Sequence, residues 1–126
     1  MVESTIMHFE IPGDDLERLM EFYSNLFGWR FERAPVPEEY WLIQTVPGDE
    51  VPSIGTRING GLVKEESSTR GFINYISVES LDDSCEIVER FGGKIIAPKR
   101  EVSDMGWFVL VEDPEGNKFA IWQSMD

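Results

Sequence analysis

The chain has 126 residues, 41% hydrophobic and 28% charged, which suits one globular domain with its own core. Its net charge of −13 disfavours nucleic acid and anionic membranes as partners, because both are negatively charged. The single cysteine excludes an internal disulfide, and no apolar run approaches the roughly 20 residues of a membrane span. The N-terminal residues lack the basic start and apolar middle of a signal peptide, so a cytoplasmic protein is expected.

The first half of the chain predicts a strand, a helix and three further strands. Polar and apolar residues alternate over residues 7–12, which is typical of a strand with one buried face. A helix is predicted over residues 15–27, with Asp14 as N-cap, Glu17 as its capping-box partner and Gly28 as the left-handed stop. The remaining strands are predicted at residues 29–33, 40–46 and 59–63, with a turn at 47–50.

The second half repeats this order of elements. A strand at residues 72–78 precedes a helix at 81–91, which Ser80 caps and Gly92-Gly93 ends. Cys85 falls on the buried stripe of this helix and is interpreted as a small core residue. Strands are then predicted at residues 94–97, 107–112 and 118–123, the last two separated by a tight turn.

This repetition predicts a single domain over residues 1–126, with repeats at about 5–63 and 71–124 and a polar linker at 64–70. Neither half could bury both faces of its sheet alone, so the halves are expected to pair. The predicted fold class is α+β, with two βαβββ modules that form a curved mixed sheet. The helices are expected on its outer face, which leaves a concave cup on the other.

Two signatures resemble the vicinal oxygen chelate superfamily, which includes glyoxalase I, extradiol dioxygenases, methylmalonyl-CoA epimerase and bleomycin-resistance proteins. The first is His8 followed by Asp-Asp-Leu-Glu-Arg and by the aromatic run that ends in Phe27-Gly28-Trp29. The second is Asp113-Pro-Glu-Gly-Asn, which is similar to the family's last turn. The resemblance covers nearly the whole chain and implies the same fold. With the open edges of the predicted sheet, it also favours a homodimer.

The resemblance implies four metal-ligand positions on strands that face the cup. His8, the only histidine, matches the first, whereas the second falls near Gly60 or Gly61. The third falls in the run Ile-Asn-Tyr at residues 73–75, which has no imidazole, and the fourth falls on Ala120. A catalytic divalent ion needs about three protein ligands, so no cofactor is expected. The alternative is a divalent metal held by His8 with other ligands.

The candidate catalytic residues are His8 and Glu10, which share the cup-facing side of the first strand by alternation. His8 suits proton transfer near neutral pH, although a hydrogen-bonded imidazole without a functional role is the alternative. The candidate ligand-binding residues are His8, Trp41, Tyr75, Trp107 and Trp122. Strand parity places Tyr75 and Trp122 in the cup, whereas Trp41 and Trp107 could equally belong to the core or to a dimer interface.

Two classes of function fit this pattern. The first is a metal-independent binder of a small aromatic or cationic molecule, similar to the bleomycin-resistance proteins. The second is a divergent lyase, isomerase or dioxygenase that uses His8 and Glu10. A partner subunit without a small ligand is a third possibility.

Overall fold

The computed structural model describes residues 2–45, 58–65 and 71–125. The predicted turn at residues 47–50 and most of the predicted linker lie outside these ranges. The chain divides into two compact units. We call residues 8–72 the N-terminal unit, and residues 1–7 together with 73–126 the C-terminal unit.

The N-terminal unit has a mixed sheet with one helix. Its elements are β1 (Ile6–Gly13, which begins in the C-terminal unit), α1 (Leu16–Phe27), β2 (Arg30–Arg33), β3 (Tyr40–Gln44) and β4 (Gly60–Lys64). The strands lie in the order β2-β3-β4-β1. Strand β1 pairs with β4 in parallel, and the other neighbours are antiparallel.

The C-terminal unit repeats this arrangement. Its elements are β5 (Ile73–Ser77), α2 (Leu81–Arg90), β6 (Lys94–Val102), β7 (Gly106–Glu112) and β8 (Lys118–Ser124). The strands lie in the order β5-β8-β7-β6, with β5 parallel to β8. The predicted α+β class with two βαβββ modules is therefore confirmed. No helix in the described ranges is long and apolar enough to cross a membrane.

The end of α1 is as predicted, but its start is not. Gly28 has a left-handed φ of 75°, and its N–H donates to the Ser24 carbonyl, which closes the last turn. The prediction of Asp14 as N-cap is wrong, because Asp15 accepts the N–H of Arg18 at 3.1 Å and the helix begins one residue later. Arg18 then occupies the third helical position, so Glu17 forms no capping box.

Each helix covers one face of its own sheet. In the N-terminal unit the buried residues of this helix-side core are Ile11, Leu16, Ile43 and Leu62. In the C-terminal unit they are Leu81, Val109, Val111 and Ile121, with Cys85 packed against them as predicted. The last apolar residues at the C-terminal ends of the two helices are at least half exposed and are not part of these buried clusters; they are Leu26, Phe27, Ile87 and Phe91.

Candidate functional site

The N-terminal unit has polar side chains on the sheet face opposite α1. Phe9 and Ile11 pack in the helix-side core, so alternation along β1 directs His8 and Glu10 to the other face. Along β3, Ile43 is buried in the helix-side core, so alternation directs its neighbours Leu42 and Gln44 to the other face of the sheet. We call this surface the polar face; it comprises His8, Glu10, Glu32, Tyr40, Leu42 and Gln44.

Tyr40 joins His8 to Glu10 on the polar face. Its hydroxyl donates to Glu10 Oε2 at 2.9 Å and lies 2.9 Å from His8 Nε2. A hydroxyl has one proton, so a Tyr40 that donates to Glu10 must accept a hydrogen bond from His8 Nε2–H. The neutral imidazole is therefore the Nε2–H tautomer, and Nδ1 carries the lone pair that can accept a hydrogen bond or a proton.

Burial sets the protonation state of this group. Desolvation lowers the pKa of His8 below its ordinary value, and the negative charge of Glu10 opposes this shift. Glu10 itself is only 8% exposed, and among the residues that the structure describes it is the one buried acidic side chain. Near neutral pH the site therefore holds a neutral imidazole, oriented by a tyrosine that is itself held by a buried carboxyl group.

Gly61 makes room for Tyr40. In the sheet, Gly61 pairs with Glu10 on one side and with Leu42 on the other. A Cβ at this position would overlap the Tyr40 phenol, so a larger residue would displace the ring. The resemblance placed the second metal ligand at Gly60 or Gly61. In this chain the phenol of Tyr40 occupies the space above Gly61.

A cavity of about 220 Å³ adjoins His8 on the N-terminal unit. It is lined by His8, Glu32, Leu42, Ile43, Gln44, Asn59 and Gly60. An apolar cavity of about 150 Å³ holds benzene, so this space is large enough for a single substituted ring. Its lining combines an apolar patch with a carboxylate, two side-chain amides and an imidazole, which is the mixture expected of a small-molecule site.

The C-terminal unit has an aromatic surface on the sheet face opposite α2. Tyr75 pairs with Ala120 across β5 and β8, and both are buried there. Trp122 packs against this cluster, and Phe108 lies 5.7 Å from the Tyr75 ring between centroids. The indole N–H of Trp122 donates to Ser124 at 3.0 Å. The structure thus brings Tyr75 and Trp122 together on one face, which we call the aromatic face.

The other two candidate tryptophans lie in the helix-side cores. Trp41 packs with Ile43 in the N-terminal unit, on the face opposite Tyr40. Trp107 packs with Val109 in the C-terminal unit, on the face opposite Tyr75. The sequence left these two residues either a ligand-binding role or a role in the core or a dimer interface. Their packing supports the core role, and we assign them no ligand.

The described residues do not fit a catalytic divalent ion. They contain no group of three or more His, Cys, Asp or Glu side chains that could hold one. His8 Nε2 is engaged with Tyr40, and the other positions that the resemblance assigns to ligands are glycine, alanine or uncharged residues. We therefore derive no chemistry through a metal ion.

Sequence reasoning missed Tyr40. Alternation along β3 places Tyr40 on the face opposite the buried Ile43, together with Leu42 and Gln44, so the sequence pattern could have indicated this orientation. The side-chain-free Gly60-Gly61 pair was a second signal, since adjacent glycines in a strand mark close approach of another group. Only the strand register shows that the approaching group is Tyr40.

Comparison with known proteins gives consistent results. A family model described as Glyoxalase/Bleomycin resistance protein/Dioxygenase superfamily matches residues 5–121. A glyoxylase-like domain-containing protein of Didymella fabae is 33% identical over 96% of this chain and 94% of its own length. A lactoylglutathione lyase of Neisseria meningitidis is 30% identical over 94% of this chain and 89% of its own length. The crystal structure of methylmalonyl-CoA epimerase from Mycobacterium tuberculosis superposes with a TM-score of 0.66 at 15% identity, covering 100% of this chain and 94% of that one.

Proposed function

Since the chain belongs to the Glyoxalase/Bleomycin resistance protein/Dioxygenase superfamily, we propose that it binds a small organic molecule at the polar face of its N-terminal unit without a catalytic metal ion. The observation that carries this proposal is the hydrogen-bonded chain from His8 through Tyr40 to Glu10. It gives the only histidine of the sequence a partner and a fixed tautomer that need no metal.

The lining of the cavity suggests what such a ligand offers. His8 and Glu32 line the cavity with groups that can accept hydrogen bonds, so a ligand with donor groups suits this lining. Glu32 brings a negative charge, and the described ion pairs, Lys99–Asp82 and Lys118–Glu112, do not include it. Leu42 is 39% exposed and offers an apolar contact. A ring or short alkyl group that carries an amino or hydroxyl donor satisfies all of these.

A fragment screen by thermal shift tests the proposal. Wild-type protein is screened with and without a chelator, because a ligand that binds only the native state raises the melting temperature. We expect hits that persist in chelator, with an affinity that depends on pH. His8→Ala should weaken these hits or abolish their pH dependence while the protein stays folded, whereas the control Glu79→Gln, in the C-terminal unit, should leave them unchanged.

The aromatic face offers a second place for the ligand, and the same screen separates the two. A ligand held against Trp122 should lose about 1–3 kcal/mol of binding free energy in Trp122→Ala, the contribution of one buried aromatic contact. Hits that respond to neither His8→Ala nor Trp122→Ala would show that both placements are wrong.

A lyase or isomerase is the second candidate function. It is favoured by the orientation of His8 as a neutral base and by relatives named as lactoylglutathione lyase and methylmalonyl-CoA epimerase. The test is to incubate candidate carbonyl compounds with the protein in deuterated water and to measure the exchange of a C–H proton next to the carbonyl. A lyase or isomerase predicts exchange that wild type catalyses and His8→Gln does not. Near-stoichiometric divalent metal in the purified protein would favour a metal-dependent enzyme and contradict the binder.

A further inference from the structure

A second concave surface lies on the helix side of the N-terminal unit, where β1 ends and α1 begins. It encloses about 450 Å³, and we call it the α1 groove. Its lining includes the end of β1, three aromatic side chains and three charged ones: Phe22, Tyr23, Phe72, Asp14, Asp15 and Arg18. None of these residues belongs to the polar face, so the α1 groove is separate from the site of the proposed function.

Two of the three aromatic residues of the α1 groove are more than half exposed. Phe22 and Phe72 are 55% and 57% exposed. The apolar surface then continues along α1 to Leu26, which is 57% exposed and lies one helical turn, or about 6 Å, beyond Phe22. Contiguous exposed apolar surface of this kind marks a site for a partner. Because it extends past the groove along the helix, it is suited to a length of peptide more than to one small molecule.

The charge around the groove selects the kind of partner. Residues 14–27 contain four acidic side chains and one basic one, Arg18. Asp14 is exposed, and it takes part in neither of the ion pairs of the described ranges. Nucleic acid and anionic lipid carry the same sign of charge as this region and would be repelled, and a second copy of the chain, with 11 basic and 24 acidic side chains, offers the groove little positive charge. A positively charged partner is attracted.

We propose that the α1 groove docks a basic amphipathic peptide segment of another protein. Apolar side chains of the segment pack against Phe22, Phe72 and Leu26, in the manner of a helix or strand laid in an apolar groove. Its arginine or lysine side chains lie over the exposed phenyl rings and reach the carboxylate of Asp14, which combines cation–π attraction with charge pairing.

Fluorescence anisotropy with a capped, labelled peptide of repeated Leu-Arg-Arg-Leu units tests this. We expect saturable binding that weakens with salt, and weaker binding by peptides in which serine replaces leucine or glutamate replaces arginine. Phe22→Ser should weaken binding about tenfold, as expected for a central aromatic contact. Asp14→Asn should weaken it about threefold, as expected for one exposed charge.

Helix α2 and its C-cap residue supply matched controls. Phe91→Ser removes a phenyl ring that is 72% exposed, and Glu86→Gln removes an exposed charge, both outside the N-terminal unit. Both variants should bind the peptide as wild type does. Equal losses in Asp14→Asn and Glu86→Gln would mean general attraction to an acidic protein and would overturn the proposal, as would equal losses in Phe22→Ser and Phe91→Ser.

Two further outcomes also overturn it. One is tight binding of the serine-substituted peptide, which lacks apolar anchors. The other is a fall in molar mass by light scattering in Phe22→Ser, which would identify a second copy of the chain as the occupant. If Phe22→Ser does not fold by circular dichroism, the comparison of Asp14→Asn with Glu86→Gln decides the question.

Discussion

Tyr40→Phe removes one oxygen atom and both hydrogen bonds that join His8 to Glu10. The bond to the carboxyl group of Glu10 is worth about 1.5–3 kcal/mol, and the bond to the imidazole about 0.5–1.5 kcal/mol. Both lie in a site where Glu10 is 8% exposed, so water replaces them poorly. The phenyl ring itself stays in place above Gly61. We therefore expect the free energy of unfolding to fall by about 2–4.5 kcal/mol.

Urea unfolding followed by tryptophan fluorescence measures this loss as a lower midpoint at an unchanged m value. Tyr23→Phe is the matched control, because it removes a hydroxyl from the same unit at a ring that packs in the helix-side core. That substitution should change the free energy of unfolding by no more than about 0.5 kcal/mol. If Tyr40→Phe is as stable as Tyr23→Phe, the hydrogen-bonded chain does not exist in solution and the reasoning built on it is wrong.

Three further predictions concern pH and association. The pKa of His8 is lower in the folded chain than in the unfolded chain, so as pH falls below about 6.5 the unfolded chain binds a proton at His8 more readily than the folded chain does. Wild type should therefore lose stability below this pH relative to His8→Gln, measured as the urea midpoint of each protein across pH. The side chain and backbone N–H of Asn117, and to a smaller extent the backbone N–H of Glu115, donate hydrogen bonds to Asp113 that lower its pKa. Asp113→Ala should therefore lower the melting temperature at pH 7, with a difference that shrinks as pH falls below about 3.9 toward the folded-state pKa. Light scattering should give twice the 14.5 kDa chain mass if the chain is a homodimer, and a monomer at all concentrations would contradict that prediction.

The sequence predicted the elements well because their signals are local. Helical spacing of apolar residues and the glycine at position 28 fix α1 within one residue of its observed bounds. The N-cap was misassigned because Asp14 and Asp15 are both suitable caps, and only the backbone geometry decides between them.

The site was predicted less completely because it depends on strand register. His8 was identified from the resemblance to the superfamily, and Glu10 from its alternation with His8 within one strand. Tyr40 reaches them only because β4 lies between β1 and β3 with Gly61 beside both Glu10 and Leu42. That pairing joins residues far apart in sequence and cannot be read from any one strand. Trp41 and Trp107 were named as ligand-binding candidates, with a core or interface role left open. They share the sheet faces of Ile43 and Val109, which the structure shows to be buried under the helices.

The single histidine makes one measurement especially direct. A long-range ¹H–¹⁵N spectrum reports the tautomer of His8, and it can be followed while zinc or nickel, and then a fragment hit, is added. The account predicts a neutral Nε2–H imidazole near pH 7.5, unchanged by one equivalent of either metal and shifted by the fragment in the presence of chelator. Two results would contradict the account. One is an Nδ1–H tautomer of His8. The other is a set of His8 signals that shift or broaden with one equivalent of metal and respond to the fragment only when metal is bound.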